Sequence, residues 1–234
     1  PNYLVTNSGL VGYWTFDGKD TNWGTNKTND LSGQGNTGTM TNMSTTTSPV
    51  VGKIGQGLSF DGSNDYIRTG NTTSFDNLFA SGITICAWAK YPNFSTYERT
   101  VTIENNVNND FDSWLQVNTG GYLQFGSGNP VGYKTSITVL TANVWYHLCG
   151  KTDYTSGGTK LYVNAVDIGG TLTSIPNYAS DKGSIDIGAL VSIGGLNYGK
   201  GTFDDVRIYN RALSAAEVAN LYRSGAAKFA ASPV

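Results

Sequence analysis

Hydrophobic and polar positions alternate along most of this chain, and the alternation predicts short β-strands. Residues 83, 85, 87 and 89 are isoleucines or alanines, and this alternation predicts a central strand over residues 83–91. Residues 113–118 and 122–125 alternate in the same way on either side of a Thr-Gly-Gly turn, which predicts a hairpin. Other short alternating segments are joined by Gly-, Asn- and Thr-rich stretches, so the pattern as a whole is typical of an all-β protein.

Near the C-terminus the period of the pattern changes to that of a helix. Ser214 and Glu217 have the S-x-x-E spacing of a capping box, and Leu213 is placed to pack on Val218 as a hydrophobic staple. Gly225 follows the apolar stripe as a left-handed stop. The pattern therefore predicts about two turns of helix at the end of the last strand.

Composition limits the domain organisation and the partners. The 234 residues include 30 glycines and six prolines, and the formal net charge is only -2. We expect one large domain over residues 1–224 and a C-terminal tail or linker over residues 225–234. The charge is spread without runs, which argues against nucleic-acid binding, and no apolar stretch approaches the length of a membrane span.

Short motifs in a fixed order connect this chain with a known family. They are GLVGYWTFD (9–17), DLSGQGNTGT (30–39), GQGLSFDGSNDYI (55–67), ITICAWAK (83–90), WYHLCGKTD (145–153), KLYVNAVDIG (160–169) and DDVRIYNRALS-x-x-E (204–217). Together they resemble the laminin-G-like, concanavalin-A-like lectin and glucanase superfamily, and more distantly the pentraxins. The resemblance implies an antiparallel β-sandwich of the concanavalin-A-like jelly-roll type with one short C-terminal helix. It implies less about activity, because this fold hosts lectins, adhesion modules and glycosidases.

The two cysteines, Cys86 and Cys149, lie in the middle of predicted strands. Pentraxin-like relatives pair cysteines in similar places, so the resemblance implies a disulfide between neighbouring strands. Such a bond is typical of an oxidising, extracellular compartment. The alternative is a pair of buried free thiols that act as small hydrophobic side chains.

A metal site is expected around Asp204. The alternation of residues 203–209 places Asp204 on one strand face with Val206 and Ile208, and an ionised carboxylate facing the core needs a partner. In many relatives the acid at this position helps to bind a structural calcium with residues that follow the first strand, here Asp17 and Asp30. Calcium prefers such oxygen ligands. The alternative is that Asp204 accepts backbone N–H groups and binds no ion.

A catalytic site is not expected. Glycosidases of this superfamily use clustered carboxylates close to E-x-D-x-x-E on one strand. The three glutamates, Glu98, Glu104 and Glu217, form no such cluster. The single histidine, His147, lies in a strand with Trp145 and is expected to be structural rather than part of a Ser-His-Asp site.

One strand face combines the residue types that a sugar platform needs. Aromatic rings stack on the C–H faces of sugars, and amide side chains exchange hydrogen bonds with hydroxyl groups. The candidate ligand contacts are Trp114, Gln116, Tyr122 and Gln124 on the predicted hairpin, with Tyr97 and Tyr133 from nearby loops. The alternative is that these rings only cover the outer surface of a sheet.

These observations lead to one leading hypothesis and one alternative. The leading hypothesis is a non-catalytic, extracellular, lectin-like module of a larger secreted or surface protein, which binds a glycan or surface polysaccharide. The alternative is a protein–protein adhesion or surface-assembly module, with a protein partner or self-assembly, in which the fold serves as a rigid scaffold.

Overall fold

The computed structural model describes residues 7–70, 81–105, 110–127, 132–155, 158–172, 183–191 and 197–230. Nearly all regular structure in these ranges is β-strand. In chain order the elements are β1 (Leu10–Trp14), β2 (Thr21–Asn22), β3 (Lys27–Thr28), β4 (Gly38–Thr41), β5 (Pro49–Val51), β6 (Gln56–Asp61), β7 (Tyr66–Thr69), β8 (Gly82–Lys90), β9 (Glu98–Asn105), β10 (Asp110–Val117), β11 (Tyr122–Ser127), β12 (Gly132–Val139), β13 (Tyr146–Asp153), β14 (Gly158–Val163), β15 (Val166–Asp167), β16 (Thr171–Leu172), β17 (Gly183–Ile187), β18 (Ala189–Leu190), β19 (Asn197–Tyr198), β20 (Lys200–Tyr209) and α1 (Ala215–Ala230).

Two large antiparallel sheets form a sandwich. The eight-stranded sheet has the order β15-β14-β13-β8-β20-β6-β5, and β1 also pairs with β20. The ten-stranded sheet has the order β16-β12-β11-β10-β9-β17-β7-β4-β3-β2. A small hairpin, β18–β19, links β17 to β20. The all-β jelly-roll architecture expected from the sequence is confirmed.

The main core lies between the two sheets and is built from the inward-facing residues of both. The largest fully buried side chains in it include Trp14, Phe60, Phe125 and Phe203. Phe60 and Phe203 stack at a centroid distance of 5.0 Å, which ties β6 to β20. Aromatic residues of this size dominate core stabilisation because each buries a large apolar area.

A β-bulge in β20 corrects the expected placement of Asp204. Asp205 has a φ of 50°, and the pairing of β20 with β8 shifts register between Asp204 and Arg207. The extra residue resets the alternation. As a result Phe203 packs in the core, and Asp204 lies opposite Trp88 on the outer face of the eight-stranded sheet. The prediction that Asp204 faces the core beside Val206 was therefore wrong.

The C-terminal helix begins as predicted but runs further. The Ser214 amide donates to Glu217 Oε2 at 2.8 Å, and the Glu217 amide donates to Ser214 Oγ at 3.2 Å, so the capping box is confirmed. The stop predicted at Gly225 was wrong, because α1 continues to Ala230. A side chain at Gly225 would lie 2.4 Å from Nε1 of Trp88. The glycine therefore allows the helix to lie directly on the indole ring rather than to end there.

A disulfide and a second apolar cluster lie under the helix. Cys86 and Cys149 are direct partners on β8 and β13 and form the disulfide that the resemblance implied. They pack with Leu213, Val218 and Leu221 in a cluster separate from the main core. The outer face of the eight-stranded sheet is thus covered by the chain itself. Within the described residues, no helix is long and apolar enough to cross a membrane.

Candidate functional site

The outer face of the ten-stranded sheet carries mainly polar side chains. Cross-strand pairing aligns Trp114, Thr102, Asp186 and Arg68 in one row across β10, β9, β17 and β7. We call this surface the polar face. Its members used below are Arg68, Tyr97, Arg99, Thr102, Glu104, Trp114, Gln116, Tyr122, Gln124, Tyr133, Ser184 and Asp186.

Two of the predicted amide residues form a directed hydrogen-bond chain on the polar face. Gln116 Nε2 donates to Gln124 Oε1 at 2.8 Å, and Gln124 Nε2 donates to Thr135 Oγ1 at 2.9 Å. At the Gln116 end of this series of hydrogen bonds, Gln116 Oε1 is a buried acceptor that has no hydrogen-bond partner among the described residues. A buried polar atom of this kind is costly unless something bonds to it, and in a native fold it calls for an explanation.

The structure brings two of the predicted aromatic residues together, but it does not present Trp114 as an open platform. Trp114 is only 5% exposed, and its ring lies across the backbone at Gly126. Its ring centroid is 6.3 Å from that of Tyr133. Tyr97 is 44% exposed, whereas Tyr122 and Tyr133 are half-buried. The accessible rings of the polar face are therefore the tyrosines.

Arg99 lies directly beside the amide chain, as the cross-strand partner of Gln116. The hairpin β18–β19 flanks it on the other side, where a side chain at Gly199 would lie 2.3 Å from the Arg99 carbonyl oxygen. Burial lowers the pKa of Arg99 to about 10, and the main opposing influence is Tyr97. This residue was not singled out from the sequence. The register shift between Leu115 and Gln116 determines which face of the sheet its side chain lies on, and that shift cannot be read from local alternation.

An ionic cluster occupies the centre of the polar face. Arg68 contacts both oxygens of Asp186, with Nε–Oδ1 at 2.7 Å and Nη2–Oδ2 at 2.8 Å, and it also pairs with Glu104. The Val191 amide donates to Glu104 Oε1 at 2.7 Å. Desolvation, above all, raises the pKa of Asp186 to about 8, and the neighbouring Glu104 carboxylate adds to the effect.

Sequence patterns contained a signal for this cluster. Thr102 and Glu104 alternate with Val101 and Ile103 in β9, and Ser184 and Asp186 alternate with isoleucines in β17. Such polar positions on a half-buried strand mark an outward face. The pairing of the two strands, which brings Glu104 beside Asp186, comes only from the fold.

The polar face also concentrates buried polar atoms that the protein does not satisfy. Besides Gln116 Oε1, these are Arg99 Nε, Thr102 Oγ1 and Ser184 Oγ, for which the described residues supply no hydrogen-bond partner. All four belong to three strands, β10, β9 and β17, which are neighbours in the sheet. Native proteins satisfy most buried polar groups, so a cluster of this kind calls for an explanation.

The three candidate calcium ligands do not form one site. Asp17 Oδ1 accepts from the Gln56 amide at 3.0 Å, and Asp204 Oδ2 accepts from the Ile54 amide at 2.7 Å, so both point at the loop between β5 and β6. Asp30 lies elsewhere and accepts from Ser32 and from three backbone amides. The carboxylates of these three acids do not fall in a common cluster within the described residues.

Asp204 keeps one unsatisfied oxygen. Burial, above all, raises the pKa of Asp204 to about 8, with smaller contributions from the neighbouring carboxylates Asp205 and Asp17. Oδ1 has no hydrogen-bond partner within the described residues. The alternative that Asp204 accepts backbone N–H groups is what the geometry displays, since Ile54 supplies one directly.

His147 is a structural residue beside the disulfide. Its ring lies 5.2 Å from Trp88 and 6.1 Å from Tyr222, between the sheet and the helix. Burial lowers its pKa to about 4, so the ring is neutral at physiological pH. Its nitrogens lie close to the sulfur atoms of Cys86 and Cys149, but thiols joined in a disulfide do not act as thiolate ligands for a metal.

Comparison with known proteins assigns the family. A family profile described as the concanavalin A-like lectin/glucanases superfamily matches residues 61–219. This match covers more than half of the chain, and the chain belongs to that superfamily. A search of curated protein sequences finds no significant match.

Solved structures of similar fold support the architecture. One is a Trypanosoma rangeli sialidase in complex with sialic acid (TM-score 0.67, 16% identity), matched over 94% of this chain and 33% of the sialidase. Another is the binding domain of Paraclostridial Mosquitocidal Protein 1 (TM-score 0.68, 18% identity), over 92% and 52% of the two chains. This chain thus spans a third of the first and about half of the second.

A third structure is matched over almost its whole length. Domain 4 of AbnA, an extracellular arabinanase from Geobacillus stearothermophilus in complex with arabinotriose, has a TM-score of 0.64 and 23% identity. The match covers 92% of this chain and 98% of the arabinanase domain. At these identities the three structures establish the shared fold.

Proposed function

We propose that this protein is a non-catalytic, extracellular carbohydrate-binding module that holds a glycan or surface polysaccharide on the polar face. The observation that carries the proposal is the cluster of buried, unpaired polar atoms around Gln116, Arg99 and Thr102. These atoms are buried, so a saccharide reaches them when the side chains that cover them move aside, and its hydroxyl groups then donate and accept the missing hydrogen bonds. The half-buried rings of Tyr122 and Tyr133 supply apolar surface for the C–H side of a sugar.

The arabinanase domain gives this proposal a functional parallel. Its structure contains arabinotriose, and it is a domain of the same fold and nearly the same extent as this chain. The sialidase structure likewise contains a sugar, sialic acid. These ligands support a saccharide as the class of partner, and they leave the position of the site in this chain to the polar face itself.

The non-catalytic part of the proposal rests on how the acids are placed. Glu104 and Asp186 are fully buried and share Arg68, so neither is placed to protonate a glycosidic oxygen. Glu98 is also fully buried and accepts from the Lys200 amide. Glu217 belongs to the capping box. The Cys86–Cys149 disulfide supports the extracellular setting, because such bonds persist in oxidising compartments.

A structural calcium remains a prediction; of the three acids expected from the sequence, Asp17 and Asp204 are the candidate ligands, and the ion would have to displace the proton that burial favours on Asp204. The unpartnered Oδ1 of Asp204 fits the oxygen chemistry of calcium, whereas Asp30 is already satisfied by protein donors. Thermal unfolding in calcium and in EDTA tests this directly. A melting temperature that falls in EDTA supports the ion, and identical curves contradict it.

The adhesion or assembly alternative has one specific observation in its favour. Ile137 is 73% exposed and Val139 is 52% exposed, both on β12 near the edge of the ten-stranded sheet. Apolar side chains that are open to solvent at a sheet edge favour contact with another chain. Sedimentation of the purified protein separates the two proposals, since concentration-dependent association that is lost in Ile137→Lys favours the assembly module.

The experiment that tests the leading proposal compares saccharide binding across matched variants. The purified protein is screened on an array of neutral and acidic oligosaccharides, and the best ligand is titrated by calorimetry. Gln116→Ala is expected to weaken binding by about tenfold, because it removes both the free acceptor and the amide chain. Gln34→Ala, an exposed glutamine in the 30–36 loop, is the matched control and should bind normally. No binding to any saccharide, or equal affinity of Gln116→Ala and the wild type, contradicts the proposal.

A further inference from the structure

Arg99 differs from the other buried or half-buried arginines of the described chain in having no acidic partner. Arg68 pairs with Asp186 and Glu104, Arg207 with Asp205 at 3.1 Å, and Arg211 with Glu217 at 2.6 Å. The guanidinium of Arg99 makes neither an ion pair nor a side-chain hydrogen bond with any residue that the structure describes, and its Nε is buried.

Arg99 is half-buried, and its Nε is buried without a hydrogen-bond partner among the described residues, which is unfavourable for folding. Burying a charge costs free energy unless a partner of opposite charge or a set of hydrogen bonds compensates for it. Removal of solvent is also the largest cause of the lowered pKa of Arg99. Titratable groups whose pKa is strongly shifted by burial are often found at functional sites. Arg99 lies on the polar face, directly opposite Gln116 and its free Oε1, rather than in a structural network.

The rest of the polar face leaves the positive charge of Arg99 uncompensated. Arg68 lies between the carboxylates of Glu104 and Asp186 and pairs with both, so these two acids are engaged with Arg68 rather than with Arg99. Glu98, the neighbour of Arg99 in sequence, pairs with Val117 of the core and accepts from Lys200 N at 2.6 Å. The described acids of the polar face are therefore bound to other groups, and none of them pairs with Arg99.

From this geometry we propose that the glycan bound by the polar face is an acidic saccharide, whose anionic group pairs with the guanidinium of Arg99. The inference rests on the proposed carbohydrate-binding function and specifies its ligand class. A guanidinium binds a carboxylate or a sulfate through two parallel N–H···O bonds. Gln116 Oε1 then accepts a hydrogen bond from a hydroxyl group of the same residue, and the exposed ring of Tyr97 borders the site.

The test uses pairs of saccharides that differ in charge alone. The pairs are galacturonate oligomers and their methyl esters, 3′-sialyllactose and its sialic acid methyl ester, and a sulfated disaccharide with its desulfated form; arabinotriose is an additional neutral probe. Binding of each is measured by calorimetry to the wild type, Arg99→Gln and Arg99→Lys. The three acidic members separate a uronate, a sialic acid and a sulfate as the source of the anion.

The wild type is expected to bind at least one acidic member roughly tenfold or more tightly than its neutral counterpart. Arg99→Gln should abolish that preference, and Arg99→Lys should restore part of it, because lysine keeps the charge but not the paired donors. Higher salt should weaken the acidic member alone. Arg99→Gln should also melt at the same temperature as the wild type or higher, since it removes an unpaired buried charge.

Three outcomes bear on the two proposals separately. Equal affinity for the acidic and neutral members of every pair overturns the role of Arg99 and leaves the carbohydrate-binding function in place. A charge preference that survives in Arg99→Gln also overturns it, and so does a large loss of stability in that variant, which would show a structural role. An absence of binding to every saccharide overturns the proposed function itself.

Discussion

Both outer faces of this sandwich belong to antiparallel sheets, but one face is covered by the C-terminal helix and the other carries polar side chains. On the eight-stranded sheet the chain supplies its own cover, because α1 lies on Trp88 and encloses the Cys86–Cys149 disulfide with Leu213, Val218 and Leu221. On the ten-stranded sheet the corresponding side chains are amides, hydroxyls and charges that are largely buried, and several of them have no hydrogen-bond partner among the described residues. The first face therefore stabilises the fold, whereas the second contains polar groups whose burial is unfavourable.

This contrast separates stability from binding within a single domain. Substitutions on the covered face should change the free energy of unfolding and leave saccharide affinity alone, while substitutions on the polar face should do the reverse. The two faces are on opposite sides of the core, so the effects of changes on each should be close to additive. The predictions below follow this separation, in order of expected size.

The largest expected effect comes from the disulfide. Replacing both cysteines, as in Cys86→Ala/Cys149→Ala, opens a loop with a sequence separation of 63 residues. In the chain-entropy model this lowers the free energy of unfolding by about 4 kcal/mol. Urea unfolding of the variant measures the loss, and calorimetry below its melting temperature should show normal saccharide binding. A variant that is as stable as the wild type would contradict the structural role of the bond.

The next largest effect is expected under the helix. Leu221 is fully buried in the cluster beneath α1, so Leu221→Ala should lower the free energy of unfolding by about 3 kcal/mol through lost apolar contact and a residual cavity. Arg223, two residues further along the same helix, is exposed, and Arg223→Ala is the matched control with a change of less than about 0.5 kcal/mol. Similar losses in both variants would mean that α1 does not seal this face.

A pH effect follows from Asp204. Its folded-state pKa of about 8 lies above the ordinary value of 3.8, so the folded protein holds a proton that the unfolded chain has released. The contribution of Asp204 to stability is therefore fully present below pH 3.8 and is lost as the pH rises through 8, while His147 and Glu217, whose pKa values are lowered, contribute in the opposite sense at acid pH. Between pH 6.5 and 8 the contribution of Asp204 falls by about 2 kcal/mol. Asp186, whose pKa burial also raises to about 8, acts in the same direction, and the unfolded His147 imidazole, half charged at pH 6.5, opposes both by less than about 0.5 kcal/mol.

Asp204→Asn tests the sign of this effect. The asparagine is neutral at every pH and its side-chain oxygen still accepts from the Ile54 amide, so the variant should show a flatter dependence of unfolding free energy on pH. Urea titrations at pH 6.5 and pH 8 measure the difference. A wild type that becomes more stable over this interval, or a variant with the same slope, would contradict a neutral Asp204.

The smallest effect is expected at the start of the helix. Ser214→Ala removes the hydroxyl that caps the Glu217 amide and should cost about 1 kcal/mol of unfolding free energy. Ser214→Asp preserves a capping acceptor and should recover most of it. If the aspartate variant is as destabilised as the alanine variant, the cap contributes little, and packing alone holds α1 in place.

Local patterns in the sequence predicted much of this fold. Alternation identified the strands, and the Ser214–Glu217 spacing identified the start of the helix, because both depend on residues close in the chain. The motifs predicted the sandwich and, through the resemblance, the pairing of Cys86 with Cys149. The helix end was missed because Gly225 serves a tertiary contact with Trp88 rather than a turn.

The candidate site was less predictable, because it depends on strand order and on bulges. The bulge at Asp205 places the side chain of Asp204 on the outer face of its sheet instead of in the core. The register shift in β9 places Arg99 beside Gln116. Sequence reasoning found the amide pair Gln116 and Gln124 on one hairpin, but not that both are almost completely buried. Whether a local pattern is open or covered is decided by elements far away in the chain.

The most direct test of the separation between the two faces is hydrogen–deuterium exchange with and without the best saccharide from the array. The account predicts slower exchange in peptides from β9 and β10, which carry Arg99 and Gln116, and no change in peptides from α1. Protection confined to α1 or to the loop that contacts Asp204, with no change in β9 and β10, would contradict it.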